Sequence, residues 1–239
     1  MEFPPVSRVA QPDTCRLIPS KYLPKGDSVL TLIADDDVHL SAIFELDNAT
    51  NERLLGERGL LPGIGPEELL AGVPNASIVN AAFCHAHPLG SRFNGPDRGA
   101  WYASFELETS QAEVAFHKSV ELAEIGWPDE SITYDEYLAD FNADFHDLRP
   151  VRGARNRAFA SCLAPDSYVR SQALAESLVR EGALGVVYPS VRRAAGTCLV
   201  SFRPALVTNV RKRRTWKLEI PPSGRRTSSR RDYAFTALQ

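Results

Sequence analysis

The stretch GSRFNGPDRGAWYASFELETSQAEVAFH, from Gly90 to His117, carries the clearest local structural signals in the chain. Its glycine, asparagine and proline residues predict a turn, and WYAS after them predicts a short strand. The segment that follows predicts a helix, because apolar residues recur on one helical stripe: Ala112, Phe116, Val120 and Ala123. Gly126 and Pro128 are expected to end this helix.

The segments on either side of this unit indicate the fold class. SIVNAAFCHAH (77–87) reads as a buried strand, and ITYDEYLADFNADFHDLR (132–149) as an extended stretch. A second helix is predicted within 166–185, closed by Gly182 or Gly185, and strands are predicted at GVVYPS, TCLVSF and PALVTNV. Strands outnumber long helices and do not alternate with them, which favours α+β: a compact mixed or antiparallel sheet core with flanking helices.

The remaining N-terminal part gives weaker signals. Residues 1–27 are rich in proline and polar groups and predict an irregular arm. SVLTLIADD and VHLSAIFELD fit either strands or a short helix, and residues 50–75 have too many Gly and Pro for a long helix. No apolar h-region begins the chain and no apolar run approaches about 20 residues, so we expect a soluble, cytoplasmic protein without a membrane segment.

Charge is distributed unevenly along the chain. From Arg203 to Gln239 there are ten Lys or Arg residues and two acids, a net +8, so the rest must carry −11 to give the total of −3. Such a basic tail can neutralise nucleic-acid phosphates. It can equally be a solvated or frayed tail, and SGRRTSSRRD has a composition typical of disorder.

Several common chemistries find no support in the sequence. GIG at 63–65 lacks the third glycine of a dinucleotide fingerprint, and neither a P-loop nor a G-x-S-x-G elbow is present. The four cysteines are too scattered for a disulfide framework. Cys84, His85 and His87 could supply metal ligands, but alternation along a strand would separate Cys84 from the two histidines. We therefore expect no metal site.

Four residues have a functional interpretation beside a structural one. Arg92, in the turn, could hold a phosphate with its planar fork or simply close a surface loop. Tyr102 could stack on a flat heterocycle or pack in the core. Ser190, at the end of an apolar strand, could position a hydroxyl over a ligand or serve as a turn residue.

Glu113 is the fourth such residue. Ser110 and Glu113 match a capping box, which would put the glutamate at the third helical position. A carboxylate in the first helical turn could also stabilise positive charge on a ribose. His117 follows one turn later on the same face.

Together and in this order, these motifs resemble the RES domain, named for its Arg, Glu and Ser. The most specific parts are SRF–WYAS–AEVAFH and GVVYPSVR with the following G, C, F and P; the resemblance covers about 15–210. It divides the chain into an irregular arm (1–14), a RES NAD-binding catalytic domain (15–210) and a basic extension (211–239). It implies a fold similar to ADP-ribosyltransferase toxins.

The resemblance also implies an activity. RES proteins are typically toxins of bacterial type II toxin–antitoxin systems that degrade NAD⁺ at the nicotinamide–ribose bond, by phosphorolysis (an NAD⁺ phosphorylase, a glycosyltransferase) or by hydrolysis (an NAD⁺ glycohydrolase). NAD⁺ depletion and growth arrest would follow. Carried over by position, the family's residues are Arg92, Tyr102, Glu113 and Ser190, with His117 as a supporting neighbour. Glu113 would face the ribose, Tyr102 the nicotinamide, Arg92 a phosphate, and Ser190 the ribose or a phosphate.

Partners follow from the same resemblance. NAD⁺ is the substrate, inorganic phosphate a conceivable co-substrate, and no cofactor or metal is required. A cognate Xre-type helix-turn-helix antitoxin would cover the site, DNA would be reached only through that antitoxin, and a homodimer is compatible with the family. Two alternatives stay open: a mono-ADP-ribosyltransferase that modifies a macromolecule, and a non-enzymatic nucleic-acid or interaction protein acting through the basic tail.

Overall fold

The computed structural model describes residues 2–22, 63–126, 130–150, 154–220 and 233–238. Within these ranges seven strands form one sheet, and three α-helices accompany it. The helices are α1 (Ala76–Cys84), α2 (Leu107–Glu124) and α3 (Val169–Arg180). The strands are β1 (Val6–Pro19), β2 (Trp101–Ser104), β3 (Glu130–Asp147), β4 (Gly185–Pro189), β5 (Thr197–Ser201), β6 (Thr208–Ile220) and β7 (Ala234–Leu238). The α+β prediction is confirmed.

The strand order is β1-β2-β5-β4-β3-β6-β7, and β1 also pairs with β3. The first five strands in this order therefore form a closed ring of pairings, from which β6 and β7 extend beside β3. The pairing of β3 with β4 is parallel, and the others are antiparallel. The sheet is thus mixed, as the sequence indicated.

Alternation along β2, β5 and β4 separates two sets of side chains. Trp101, Ala103, Val187 and Leu199 join the largest apolar cluster, together with residues of α1 and β3. The alternate positions point to the opposite face, where Tyr102, Tyr188, Cys198 and Val200 pack with Leu174, Ala175 and Leu178 of α3. This second face continues toward Ser190, two residues beyond Tyr188.

Both predicted helices are confirmed, as α2 and α3, and α3 is followed by Gly182 with a φ of +78°. The strand predicted at 77–87 is wrong, because α1 occupies Ala76–Cys84. Ile78 and Val79 suggested a strand, but the alanines around them favour a helix. The buried positions Val79, Asn80, Phe83 and Cys84 recur at helical spacing.

The predicted irregular arm at 1–14 is also wrong for most of its length. β1 begins at Val6 and pairs with β3 from Val6 to Pro19, with a register shift between Gln11 and Thr14 where Asp13 has a φ of +57°. Only pairing with a distant strand makes this polar segment extended. The segments 28–36 and 38–47 lie outside the described residues.

The predicted boundary after residue 210 does not coincide with a structural break. β6 runs across it, from Thr208 to Ile220, and pairs with β3. The beginning of the proposed basic extension is therefore an integral strand, and the SGRRTSSRRD segment lies outside the described residues. Among the helices that the structure describes, none is long and apolar enough to cross a membrane.

Candidate active site

The end of β4 meets α2 through one short hydrogen bond. Ser190 Oγ donates to Glu113 Oε1 at 2.6 Å. The same hydroxyl oxygen accepts the backbone N–H groups of Arg192 at 3.1 Å and Arg193 at 3.0 Å. Because both donors occupy the oxygen's acceptor side, they aim the Ser190 proton at the carboxylate. The structure thus brings together two residues that are 77 positions apart.

Glu113 lies deeper in α2 than the sequence predicted. The helix begins at Leu107, so Glu113 is its seventh residue and not its third, and the capping-box prediction is wrong. Ser110 Oγ instead donates to the backbone oxygen of Cys15 at 2.7 Å. Ser110 therefore ties α2 to β1, and this attachment helps to fix the helix that carries Glu113.

The true start of α2 is joined to β5 by Glu106. Its carboxylate accepts Thr109 Oγ1 at 2.6 Å and the backbone N–H of Thr197 at 3.1 Å. The S-x-x-E pattern predicted the wrong start, because the helix begins one turn earlier, directly after Glu106. The contact between Glu106 and Thr197 joins residues 91 positions apart, so the local sequence does not show it.

The Cys198 thiol also contacts the Glu113 carboxylate. Its Sγ is 3.7 Å from Glu113 Oε1 and 3.6 Å from Ser104 Oγ. Burial, with the nearby Glu113 charge, raises the pKa of this thiol to about 12. The thiol therefore stays protonated and can donate to Glu113. Within the described part of the chain, no Lys, Arg or His lies within 4 Å of the Glu113 carboxylate.

Arg92 is buried, with 6% of its surface exposed. Its Nη1 donates to the backbone oxygens of Cys162 at 3.2 Å and Ala164 at 2.8 Å. Its guanidinium carbon lies 4.7 Å from the centre of the Tyr168 ring. Arg92 therefore anchors the segment before α3, and its role as a phosphate ligand remains a prediction.

Tyr102 is held by the turn that contains Arg92. Its hydroxyl donates to Asn94 Oδ1 at 2.8 Å and accepts the backbone N–H of Phe93 at 2.9 Å. Burial is the largest cause that raises the pKa of Tyr102, so its hydroxyl is neutral. This hydroxyl fixes the turn, and stacking on a nicotinamide ring stays a prediction.

Tyr188 lies between these parts of the site. Its ring is 4.8 Å from that of Phe93, centre to centre. Burial raises its pKa well above the usual value, and Cys198, Tyr102 and Glu113 raise it further whereas Arg92 lowers it. Ser190 and Glu113 are therefore in direct contact, and Tyr188 lies next to Phe93, which follows Arg92 in the turn and donates its backbone N–H to Tyr102.

His117 lies on α2 one turn beyond Glu113, as predicted, and its side chain is exposed. Its ring is 5.5 Å from the Phe116 ring, and the guanidinium carbon of Arg192 lies 3.3 Å from the centre of that Phe116 ring. Partial desolvation, followed by the charges of Arg192 and Arg92, lowers the pKa of His117. The imidazole is consequently neutral near pH 7.

The sequence interpretation missed three residues of this region: Tyr188, Cys198 and Arg192. Tyr188 pairs with Cys198 across β4 and β5, and alternation places Tyr188 on the same face as Ser190. A hairpin pairing of GVVYPS with TCLVS would have indicated these two. Arg192 follows Ser190 by two positions, but only the contact with α2 shows where its side chain lies.

The structure offers no metal cage in the residues that it describes. No group of three His, Cys, Asp or Glu side chains is close enough there to hold an ion. The strand alternation used to separate Cys84 from His85 and His87 does not apply, because Cys84 ends α1 and His85 follows as its C-cap.

The fold and site define an α+β protein with a carboxylate that is held by neutral hydroxyl and thiol donors, beside arginines. The family model of the RES domain matches residues 69–221, which is more than half of the chain, and the chain belongs to this family. That match extends past residue 210, in agreement with the continuity of β6.

A chain in the crystal structure of the M. tuberculosis MbcT–MbcA toxin–antitoxin complex is similar at 18% identity with a TM-score of 0.40. The similarity covers 54% of the present chain and 71% of that chain. No curated protein matches the sequence.

Proposed function

We propose that this protein is the toxin of a toxin–antitoxin pair and degrades NAD⁺ at the nicotinamide–ribose bond. Its membership of the RES family supports the reaction class. The observation that carries the proposal is the Ser190–Glu113 hydrogen bond of 2.6 Å, which fixes a carboxylate without neutralising it. Such a group is suited to a reaction in which positive charge develops.

The chemistry requires that charge to be stabilised at the anomeric carbon. As the bond from C1′ to the nicotinamide nitrogen breaks, its electron pair leaves with nicotinamide, and the ribose becomes oxocarbenium-like. An oxygen of phosphate or water then bonds to C1′, and water loses a proton in the hydrolytic case. Neutral nicotinamide needs no protonation on leaving, so Glu113 can serve as a fixed negative charge and hold a ribose hydroxyl.

The surrounding residues favour this role for Glu113. Ser190 and Cys198 donate neutral hydrogen bonds to Oε1, which leaves Oε2 without a partner among the described residues. A direct Arg or Lys partner would offset the charge before the substrate bound. Ser190 positions the carboxylate, and its oxygen is available to a ribose hydroxyl after local adjustment.

The binding roles follow the predicted set. Tyr102 would pack against nicotinamide, and Arg92 would contribute positive charge toward the phosphates from its buried position. Neutral His117, one turn from Glu113, would line the neighbouring surface. NAD⁺ is then the substrate, and phosphate is the co-substrate if the reaction is phosphorolysis. A cognate Xre-type antitoxin would neutralise the toxin, and DNA would be reached only through that antitoxin.

The experiment is incubation of the purified chain with NAD⁺, with and without inorganic phosphate, followed by product masses. Nicotinamide with ADP-ribose 1″-phosphate would identify phosphorolysis, and nicotinamide with ADP-ribose would identify hydrolysis. Glu113→Gln should release nicotinamide about 10²–10³-fold more slowly, whereas Glu108→Gln, on the exposed side of the same helix, should match the wild type. Intact NAD⁺ under all conditions would overturn the proposal.

The same assay tests the alternative of a mono-ADP-ribosyltransferase. Labelled ADP-ribose attached to protein or RNA, in place of free product, would favour that alternative. In cells, expression without an antitoxin should deplete NAD⁺ and arrest growth, and Glu113→Gln should abolish both effects.

A further inference from the structure

A second arginine lies beside Glu113 and Ser190. Arg192 is anchored by its backbone N–H, which donates to Ser190 Oγ at 3.1 Å. Its guanidinium carbon lies 3.3 Å from the centre of the Phe116 ring, and Phe116 follows Glu113 by three positions on α2. The guanidinium therefore covers α2 within one turn of the carboxylate.

The hydrogen-bonding capacity of Arg192 is mostly unused. Nη2 donates to the backbone oxygen of Pro165 at 2.5 Å. Nε is buried and has no hydrogen-bond partner among the described residues, and no carboxylate there forms an ion pair with this side chain. A buried donor without a partner costs about 1–3 kcal/mol. A guanidinium fork with open donors beside a catalytic carboxylate indicates a site for an anionic oxygen.

Arg92, in contrast to Arg192, is buried and has hydrogen-bond partners within the protein. It is 6% exposed, it donates to two backbone oxygens, and it lies over Tyr168. Arg192 is only partly buried and lies on the Phe116 ring, so its outer edge can meet a ligand. Arg92 therefore stabilises the fold, and Arg192 can contact a ligand directly.

We propose that Arg192 is the principal phosphate-binding residue of the site, and that Arg92 chiefly positions the segment before α3. The inference rests on the proposed function for the identity of the anion, which is either the diphosphate of NAD⁺ or the inorganic phosphate that attacks it. Both offer the oxygen pairs that a guanidinium binds bidentately. The diphosphate is directly attached to the ribose, so a ligand whose ribose meets Glu113 has its phosphates within reach of this neighbouring arginine.

Anion binding can be measured without turnover. Glu113→Gln protein is titrated calorimetrically with inorganic pyrophosphate, inorganic phosphate and ADP-ribose, with and without the additional change Arg192→Ala. Loss of a charge-assisted contact should weaken pyrophosphate and ADP-ribose binding about 10–100-fold. Arg192→Lys should recover part of it, because lysine keeps the charge but not the fork. Arg180→Ala, which removes an exposed arginine paired with Glu176 on α3, is the charge-matched control.

Steady-state kinetics of the protein with Glu113 intact distinguish the two candidate anions, the diphosphate of NAD⁺ and inorganic phosphate. If Arg192 binds the diphosphate, Arg192→Ala raises the KM for NAD⁺ more than it lowers kcat. If it binds the attacking phosphate, the KM for phosphate rises instead. Thermal unfolding confirms that each variant is folded, and the backbone N–H to Ser190 remains in all of them.

The outcomes separate this inference from the proposed function. NAD⁺ cleavage with anion affinities unchanged by Arg192→Ala would overturn the role of Arg192 alone. Absence of NAD⁺ cleavage, with pyrophosphate binding that depends on Arg192, would reject the reaction and retain the anion site. A greater loss of pyrophosphate affinity in a folded Arg92→Lys variant than in Arg192→Ala would also contradict the assignment.

Discussion

Glu113 and Glu136 are two carboxylates in different regions of this molecule, and their partners differ in kind. Glu136, on β3, is 1% exposed and accepts Trp216 Nε1 at 2.9 Å and Arg213 Nη1 at 3.5 Å. Glu113, on α2, is half-buried and accepts two neutral donors among the described residues, Ser190 and Cys198. Glu136 therefore has a cationic partner, and Glu113 has none among the described residues.

The difference between Glu113 and Glu136 shows that a protein can fix the position of a carboxylate with or without a cationic partner. A buried carboxylate in the core needs a cation or several donors, because desolvation of a lone charge is costly. Glu113 is held by neutral donors, which would leave its charge available to the cationic transition state proposed above. The sheet region around β3 and β6 therefore uses a carboxylate for cohesion, and the β4–α2 junction holds the carboxylate that we propose for chemistry.

The largest expected effect is on activity, in Glu113→Gln. The amide keeps the shape and can still accept the Ser190 proton, but it lacks the negative charge. Removal of one preorganised electrostatic group typically costs about 10²–10³-fold in kcat, and we expect a loss of this size in nicotinamide release. The melting temperature should stay close to that of the wild type. A variant that kept more than a tenth of the wild-type rate would show that charge at this position is not essential.

The matching change in the other region, Glu136→Ala, should act on stability. It leaves Nε1 of the half-buried Trp216 without an acceptor and removes the partner of Arg213, at an expected cost of about 2–3 kcal/mol in the free energy of unfolding. Urea denaturation measures this cost, and the activity per folded molecule should be preserved. Equal loss of specific activity in Glu136→Ala and Glu113→Gln would erase the distinction between the two carboxylates.

Ser190→Ala tests the neutral donor that holds Glu113. Without the hydroxyl the carboxylate keeps its charge and loses its fixed orientation, so we expect about a tenfold lower kcat, the size of one charge-assisted hydrogen bond. Cys198→Ala removes the longer contact, at 3.7 Å, and should have a smaller effect. An effect of Cys198→Ala larger than that of Ser190→Ala would assign the orienting role to the thiol.

The smallest effect concerns a third carboxylate, Glu68, which two arginines bind. Hydrogen bonds from Arg98, with a further one from Arg203, lower the pKa of Glu68 from 4.5 to about 2. The folded state therefore binds this proton less readily than the unfolded state. Its contribution to stability is complete above about pH 4.5 and is lost as the pH falls toward 2.

Glu68→Gln should flatten that part of the stability profile, with an effect of about 1 kcal/mol for a partly exposed pair. Unfolding in urea between pH 5 and 2.5 measures it. The Glu113→Gln profile over the same range provides the comparison, since no arginine pairs with Glu113 among the described residues. A profile for Glu68→Gln as steep as that of the wild type would contradict the assignment.

The basic β6 illustrates what composition could not show. Its excess of Lys and Arg suggested either a solvated tail or a nucleic-acid contact. In the structure, Arg211 pairs with Asp13 and Asp140, Lys212 with Asp135, and Arg213 with Glu136. These acids lie on β1 and β3, so the uneven charge along the chain is partly neutralised when distant strands pair.

Elements whose signals are local could be predicted from the sequence alone. The apolar stripe predicted α2, Gly182 marked the end of α3, and the motifs of the RES domain identified the family; the four candidate residues that they suggested stay a prediction. These signals are local because helix periodicity and turn chemistry act over only a few residues.

Features that depend on pairing with distant residues became visible only in the folded chain. In the folded chain, the polar segment from Val6 is a strand and the segment that begins at Ala76 is a helix. Ser110, which the sequence suggested as a helix cap, instead binds the backbone of β1. The fold also places Arg192 over Phe116 beside Glu113. Backbone groups and charges find their lowest free energy with partners that the fold supplies, and those partners lie tens to hundreds of positions away in the chain.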